Sequence, residues 1–538
     1  MNFSIKSNKL LQFLLILFLN ILFFSLSAYF LPISFETNDD LAMCLISSGA
    51  YTGIPEARLV FIHYFYGLVL AFFYKAFKGI EWYTVSFCII HIISLSIIIF
   101  SFINSNKIKS AKFISIILLY VLELTNIQSL QFTSTAGIAA FAGILLLFER
   151  KKVFVICGLV LFFIATFVRF HSAMVVLLLM LPFFIYKVYP DIRKHLKILI
   201  PVVISIFGAF LLQIIDKQAY NVENWSYYRE YNEVRGYILG NPNRLLIIDN
   251  IPPSVISQGD YWLFLNHFID NEYVDLARLR EIRELIADIS IMAKLRNIIP
   301  FLGTYKWTLS IILVSSIIFF VSTENKKKKI FIPLFLIYLS IVLLYTSLDG
   351  IISKRVFMAL FFPIVYFIYI NDSIFSKKVM RVIYIIIIAF LNINFLSNIY
   401  QIKKYNKYME VFIGEQNAVI ERIKGKNTRI FNFCIDLQIE KLCSPFHVRE
   451  YFSDFSLVGT GWFTNIPYSN RYKNLYLTLL EAETYLFVAK PNVIAANLIQ
   501  DALFIHYNRD SRLKVALQST NYLLIKFEEG IAENETQS

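Results

Sequence analysis

Residues 10–31, LLQFLLILFLNILFFSLSAYFL, form a long apolar run, and residues 35–40, FETNDD, follow it almost at once with three acidic side chains. A membrane-spanning helix needs about 20 apolar residues, which this run supplies. The apolar core of a signal peptide is only about 7–15 residues long and precedes a cleavage site of small residues, which is missing here. We therefore predict that residues 10–31 are a retained first transmembrane helix, with Glu36, Asp39 and Asp40 at its outer mouth.

The composition of the whole chain indicates a polytopic membrane protein. Of its 538 residues, 57% are hydrophobic and 17% are aromatic, and the mean hydropathy is +0.60. Soluble globular domains are only about 45–50% apolar. The formal net charge of +13 is compatible with nucleic-acid binding, but Lys and Arg occur in short clusters between the apolar runs. Cytoplasmic loops carry such a basic excess, so we expect membrane lipid as a partner and no nucleic acid.

Apolar runs of transmembrane length continue along the first 400 residues and predict a bundle of about 11–13 helices. Twelve runs are identified, at 10–31, 58–76, 83–103, 111–124, 132–148, 153–170, 172–187, 198–215, 304–322, 330–347, 356–370 and 380–399. Basic clusters are expected on the cytoplasmic side; they lie at Lys6 and Lys9, 150–152, 187–197, 326–329 and 377–381. The chain after about residue 400 is then outside.

This topology contains one conflict, because an inside N-terminus and an outside C-terminal region require an odd number of crossings. Lysines at positions 107, 109 and 112 look cytoplasmic, whereas counting forward from the N-terminus places them outside. The error therefore lies before Arg150. Either the run 58–76 dips into the membrane and returns, or a short extra helix lies within residues 33–80.

The order of segments predicts two parts. Residues 1–400 form the transmembrane bundle with outer loops 32–57 and 216–303, and residues 401–538 form a small extracytoplasmic domain of α/β or α+β type. The periodicity predicts strands at 429–437 and 522–527, and helices at 275–296, 403–424, 476–488 and 493–506. Cys434 and Cys443 either form a disulfide or remain two unpaired thiols.

The acidic segment is the first candidate for chemistry, since a carboxylate near hydrocarbon is costly unless it is hydrated, paired or bound to a metal. Asp39 or Asp40 can act as a general base toward a bound alcohol, and the pair can hold a divalent cation such as Mg²⁺ or Mn²⁺. Glu36 can assist either role. The alternative is that Asp39 or Asp40 only caps a helix that begins at about Leu41.

Basic side chains at predicted outer positions are the second candidate. Arg169 and His171 end one span, and Lys354 and Arg355 lie on a short outer turn, where cations run against the charge bias. An anionic ligand such as a lipid phosphate would account for them. The alternative for Arg169 is an arginine that snorkels to the headgroups. The polar, turn-rich stretch 47–58 can shape a pocket floor, and it ends at a further basic candidate, Arg58.

The large outer loop adds aromatic residues interleaved with charges. The stretch 225–237 carries Arg229 and Arg235 among Trp and Tyr side chains, which can stack on sugar rings while arginine binds phosphate or hydroxyl groups. An interfacial aromatic belt is the alternative. Asp260 stands beside Tyr261 and Trp262, with helix capping as its competing interpretation.

The segment Asn38-Asp39-Asp40, together with residues 48–55 and Trp82-Tyr83, resembles the GT-C superfamily of integral-membrane glycosyltransferases. These enzymes place an acidic motif in the first outer loop of a bundle of many helices and commonly carry an external C-terminal domain. The chain has no Trp-Trp-Asp motif, which argues against the oligosaccharyltransferase branch.

The resemblance implies a multi-pass protein of the plasma or inner membrane that takes part in cell-envelope polysaccharide synthesis. The donor would be a polyprenyl-phosphate-linked sugar, and the acceptor a hydroxyl of a glycan, a lipid or a protein. Asp39 or Asp40 would deprotonate that hydroxyl, and the sugar would be transferred with inversion. Some members use a divalent cation and others do not.

Two other functional classes share parts of this pattern. A polysaccharide polymerase or ligase also combines many spans with one large outer loop, although it usually ends soon after its last helix. A solute transporter or lipid flippase typically shows inverted repeats and charges at the middle of its spans. Here the charges concentrate at the helix ends, and the two halves look unlike.

Overall fold

The structure is a computed structural model that describes residues 9–287, apart from short gaps at 32, 150, 189–191, 223, 250 and 269–272, and parts of the chain after residue 360. In that later part, the longer described stretches are 417–423, 428–432, 443–453, 456–458, 461–463, 466–468 and 475–530. The last four predicted spans and the predicted helix 403–424 lie mostly outside the described residues. Lys354, Arg355 and Cys434 lie outside them entirely, and Cys443 carries a free thiol.

The first part of the chain is a helical bundle. Its helices are α1 (Lys9–Phe30), α2 (Asn38–Ser48), α3 (Tyr64–Ala76), α4 (Trp82–Ile103), α5 (Lys109–Gln128), α6 (Phe132–Leu147), α7 (Lys152–Val188) and α8 (Ile192–Ala219). Five helices of the described chain, namely α1, α4, α5, α7 and α8, are long and apolar enough to cross a membrane. A polytopic helical protein is therefore plausible. All residues of α6 are buried, so this helix is the centre of the bundle.

Helix α7 is a hairpin of two arms that reverses at Arg169. The backbone there is extended, with φ −158° and ψ 101°. Gly158 on the first arm packs against Gly143 of α6. On the second arm, the Ser172 hydroxyl donates to the Thr133 carbonyl at the start of α6 (2.7 Å). Phe184 then stacks on Phe148 just after the end of α6, with 4.2 Å between ring centroids. The two arms correspond to the predicted spans 153–170 and 172–187.

The bundle has two chemically different ends. We call the end that carries Asp39 and Asp40 the acidic end, and the opposite end, where α1, α5 and α7 begin at Lys9, Lys109 and Lys152, the basic end. At the basic end, the Asn104 amide after α4 donates to Gln12 of α1 (3.1 Å). At the acidic end, the short strands β1 (Ser34–Phe35) and β2 (Ser129–Leu130) pair in parallel.

The short helix α3 explains why the predicted number of membrane crossings was even rather than odd. Its 13 residues span about 20 Å at 1.5 Å per residue, too short for the hydrocarbon core of a membrane. The N–H of Tyr64 at its start donates to Asp216 near the end of α8 (2.8 Å). The hydroxyl of Tyr74 near its end donates to Glu81, which precedes α4 (3.1 Å). Both ends of α3 thus lie at the acidic end, and the prediction of a full span at 58–76 is wrong.

Further elements cover the acidic end. The loop after α8 contains α9 (Asn224–Gly240), α10 (Gln258–Leu265) and α11 (Leu276–Ala287), where α11 begins the predicted helix 275–296. The tail contains a five-stranded mixed sheet in the order β4-β3-β5-β7-β6. Its strands are β3 (Arg429–Asn432), β4 (Ser456–Val458), β5 (Thr484–Ala489), β6 (Ser511–Gln518) and β7 (Tyr522–Glu529), with α12 (Val448–Tyr451), α13 (Leu475–Thr478) and α14 (Ile494–Tyr507) between them.

One tail prediction is wrong in part, because residues 476–488 do not form one helix. The segment ends as β5, which lies between β3 and β7 in the sheet. Five of its six residues are buried. A strand covered on both faces shows a continuous apolar run without the alternation that marks a half-exposed strand. Such a run cannot be distinguished from a buried helix by periodicity.

The tail docks firmly on the bundle. The Arg449 guanidinium pairs with the nearly buried Glu81 carboxylate, with 3.1 Å between Nε and Oε1. The Thr84 hydroxyl donates to the Pro445 carbonyl (2.6 Å). Val448 and Trp462 belong to the same hydrophobic core as α2 and α6. This docking places one tail segment, residues 461–463, over the acidic end.

Candidate functional site

A cavity of about 510 Å³ lies at the acidic end between the bundle, the loop after α8 and the tail. Its walls are formed by the starts of α2 and α6, the turn of the α7 hairpin, α9, the tail segment 461–463 and the loop residues Phe61 and His267. The lining residues are Thr37, Asn38, Asp39, Phe61, Phe132, Thr133, Arg169, His171, Ser172, Val175, Asn232, Arg235, Gly236, Leu239, His267, Gly461 and Trp462. The cavity therefore brings together four of the predicted site residues, which are Asp39, Arg169, His171 and Arg235.

The two adjacent aspartates have different environments. Helix α2 begins at Asn38 with Thr37 as its N-cap, so the capping interpretation of Asp39 and Asp40 is wrong. Asp40 is fully buried. It accepts hydrogen bonds from the Tyr83 hydroxyl (3.0 Å), the Phe132 N–H (3.1 Å) and the Thr37 hydroxyl (3.0 Å). Burial, and then the charge of Asp39, raise the pKa of Asp40 well above its usual value, while these hydrogen bonds oppose the shift.

Asp39 lines the cavity instead. Its Oδ1 accepts a hydrogen bond from the Trp462 indole N–H (2.8 Å), so a tail residue orients a carboxylate of the bundle. The side chain is half-buried. Asp39 is consequently the carboxylate that a substrate in the cavity can reach, whereas Asp40 ties α2 to α4 and to the start of α6.

The described residues do not fit a protein-held divalent cation. No group of three or more His, Cys, Asp or Glu side chains in this part of the chain could hold a metal ion. Both Asp40 oxygens already accept hydrogen bonds inside the protein. Asp39 is left as the one carboxylate among the lining residues.

Arg169 owes its position to the reversal of α7. Because the helix breaks there, the Phe167 carbonyl accepts a hydrogen bond from the His63 N–H (2.9 Å). The Arg169 guanidinium donates to the Phe61 carbonyl (3.2 Å) and lies 5.2 Å from the Phe132 ring centroid. A cation at the end of two membrane-length arms, packed on aromatic rings, is placed to meet an anion. His171 lines the cavity next to it.

Arg235 and His267 form a second basic corner. Arg235 is 6% exposed, and burial lowers its pKa. Desolvation, followed by the charges of Arg235 and Arg244, lowers the pKa of His267 to about 4. Gly461, at φ +77°, lies against both side chains, because a Cβ added there would be 3.4 Å from His267 Nδ1 and 3.7 Å from Arg235 Nη1. Glycine permits both this backbone conformation and this close approach.

The other predicted site residues in the described chain do not line the cavity. The Glu36 N–H extends the β1–β2 pairing by donating to Leu130 (3.1 Å). Arg58 donates to the Ala219 carbonyl (3.1 Å) and packs on Trp225. Arg229 lies half-buried on α9. Asp260 lies at the start of α10, where its side chain accepts from Ser257 (2.6 Å) and lies 3.0 Å from His506 Nε2 of α14.

The lining residues that sequence reasoning did not single out include Asn232, His267, Gly461 and Trp462. Trp462 reaches Asp39 across 423 positions of sequence, a contact that no local pattern encodes. The one usable signal was Asn232, since it lies within the aromatic stretch 225–237 already interpreted as a binding surface.

The cavity thus combines one reachable carboxylate, two arginines on separate elements, two histidines and aromatic faces. Such a set can remove a proton from a bound hydroxyl and stabilise negative charge nearby. Searches against protein-family models, curated proteins and solved structures find no match for this chain.

Proposed function

We propose that the protein is a GT-C-type membrane glycosyltransferase, which transfers a sugar from a polyprenyl-phosphate donor to a hydroxyl of a glycan, lipid or protein. One observation carries the proposal. Among the described residues, Asp39 is the single carboxylate that lines a cavity also lined by Arg169, at the end of a bundle with membrane-length helices. This combination suits an acceptor hydroxyl and a phosphate leaving group in one site.

We propose that the basic end of the bundle is cytoplasmic and that the acidic end faces outward. The lysines at 107, 109, 112, 151 and 152 adjoin the basic end, as the positive-inside rule requires. The cavity and the tail would then lie on the outer side of the plasma or inner membrane. A lipid-linked donor fits this location, because its chain stays in the bilayer while its phosphate reaches the helix ends.

In the proposed reaction, Asp39 takes the proton from the acceptor hydroxyl as the hydroxyl oxygen attacks the anomeric carbon. The bond between that carbon and the phosphate oxygen breaks, and its electron pair leaves with the lipid phosphate. Attack from the face opposite the leaving group inverts the configuration. Arg169 is positioned to stabilise the charge on the departing phosphate, and the Trp462 N–H holds the Asp39 carboxylate in place.

The proposal is tested by transfer of radiolabelled sugar from a panel of polyprenyl-phosphate donors in membranes that contain the full-length protein. We expect Asp39→Asn to lower the rate by about 10²–10⁴-fold, the usual contribution of a general base. Asp501→Asn is the matched control, because this exposed aspartate lies on α14 away from the cavity. Transfer by Asp39→Asn at the wild-type rate, with protein levels matched by immunoblot, would refute the proposal.

A further inference from the structure

Arg235 is a buried cation with only part of its hydrogen-bonding capacity used. Its Nε and Nη2 both donate to Asn232 Oδ1, at 3.1 and 2.8 Å. A guanidinium carries five N–H donors. Within the described parts of the chain, no acceptor pairs with Nη1 of Arg235, and no carboxylate forms an ion pair with this residue. Arg235 lines the cavity, and its remaining N–H groups are those that Asn232 does not occupy.

An anionic ligand can complete this arrangement. The guanidinium is largely desolvated and feels the charge of Asp39, and an oxyanion that accepts from its remaining N–H groups adds a charge-assisted hydrogen bond. The Arg235 side chain is also held in place before a ligand binds. Its Nε and Nη2 donate to Asn232, and Gly461 packs near Nη1. Preorganised donors bind an anion with less loss of side-chain entropy.

Arg235 lies on a different wall of the cavity from Arg169, the residue proposed to meet the phosphate of the donor. Arg169 lies at the turn of the α7 hairpin, packed on the bundle residues Phe61 and Phe132. Arg235 instead belongs to α9 of the outer loop and lies against the tail segment at Gly461. A lipid-bound phosphate approaches from the bundle, so the group that meets Arg235 lies farther from the lipid.

We infer that the cavity contains a second oxyanion subsite, formed by Arg235 with Asn232 and His267, for an acidic group on the transferred sugar or on the acceptor. The inference rests on the proposed function and adds a substrate class to it: a uronic acid or a phosphorylated sugar. Carboxylate and phosphate share the chemistry that a guanidinium edge recognises, and the experiment separates them.

The test compares binding of glucose, glucuronate and glucose 6-phosphate to purified full-length protein in detergent, from thermal unfolding midpoints over a range of ligand concentrations at constant ionic strength. The three probes differ only at carbon 6. We expect one or both anions to bind about 10- to 100-fold more tightly than glucose, the effect of a charged hydrogen bond. The preferred anion identifies the carboxylate or the phosphate as the natural group.

Three variants assign that preference to the subsite. Arg235→Gln should abolish it. Asn232→Asp should also abolish it while keeping the arginine, because the new carboxylate would pair with the guanidinium internally. Arg280→Gln is the control and should keep the preference, since Arg280 is an exposed arginine of the same loop that pairs with Glu230.

Equal binding of all three probes by the wild-type protein would overturn the inference, and so would a preference that survives both Arg235→Gln and Asn232→Asp. Neither result bears on the role of Asp39, which is tested by transfer. Conversely, an anion preference that depends on Arg235 in a protein that transfers no sugar would leave the subsite standing and remove the glycosyltransferase proposal.

Discussion

The cavity and the interior of the bundle both contain polar clusters, but they differ in how completely the groups satisfy one another. Inside the bundle, His91 Nδ1 pairs with Glu123, and His91 Nε2 lies 2.9 Å from the Thr135 hydroxyl. The Asn126 amide donates to the other Glu123 oxygen (3.2 Å). His91 and Glu123 are almost completely buried. In the cavity, by contrast, Nη1 of Arg235 forms no hydrogen bond with the described residues.

This difference separates structural polar groups from binding groups. The His91–Glu123 cluster joins α4, α5 and α6, and its members find their partners within the bundle, as expected for interhelical hydrogen bonds in a membrane protein. The cavity residues Asp39, Arg169 and Arg235 sit at the junction of separate elements instead. Buried charge by itself is thus a weaker sign of function than charge whose hydrogen bonding is incomplete.

The largest effect among three tests of this comparison is expected for Trp462→Phe, which keeps an aromatic ring near Phe61 and removes the N–H that holds Asp39. A hydrogen bond to a charged group contributes about 1.5–3 kcal/mol, so transfer should slow by about 10- to 100-fold. Sugar-transfer kinetics should show the loss mainly in kcat. A wild-type kcat in this variant would show that the tail does not orient the carboxylate.

A smaller effect, on stability alone, is expected for Glu123→Gln. The substitution weakens the buried cluster, and interhelical polar contacts in membranes contribute about 1–2 kcal/mol. The thermal midpoint in detergent should therefore fall, while the anion preference at Arg235 persists. Loss of that preference at an unchanged midpoint would contradict the division between structural and binding clusters.

The smallest effect is expected for the dependence of anion affinity on pH. Because the pKa of His267 is lowered to about 4, this side chain stays neutral between pH 6 and 8. The affinity for glucuronate, whose carboxylate is ionised throughout this range, should change less than about twofold, since the charge of Arg235 is constant. A steep rise in affinity as the pH falls from 8 to 6 would show instead that His267 carries the charge.

The same shift predicts a stability change with a definite sign. The unfolded chain protonates His267 near its ordinary pKa of about 6.5, whereas the folded protein resists protonation until about pH 4. The contribution of His267 is therefore present above pH 6.5 and is lost as the pH falls toward 4. His267→Gln should flatten this part of the pH profile of the thermal midpoint.

Sequence reasoning located much of the bundle and part of the cavity. Apolar runs and the charges at their ends predict the α7 arms, the separation of α9 from the bundle helices and three charged cavity residues, Asp39, Arg169 and Arg235. These features are local, so periodicity and charge placement are sufficient to find them.

The remaining features depend on contacts between distant segments. The sequence alone does not distinguish Asp39 from Asp40. Asp40 has a structural role because Tyr83 and Phe132 donate hydrogen bonds to it. Asp260 could not be excluded beforehand, because its pairing with His506 requires the tail to be docked. The short α3 was mistaken for a span because its apolar residues continue the run that begins at residue 58.

The most direct test of the central claim compares the adjacent variants Asp39→Asn and Asp40→Asn by sugar-transfer rate and thermal midpoint together. The account predicts that Asp39→Asn loses transfer at an almost unchanged midpoint. Asp40→Asn should lower the midpoint, because an amide N–H₂ would face donors where the buried carboxyl accepted three hydrogen bonds. The assignment of Asp39 would be contradicted if Asp39→Asn still transferred sugar while Asp40→Asn lost transfer at a wild-type thermal midpoint.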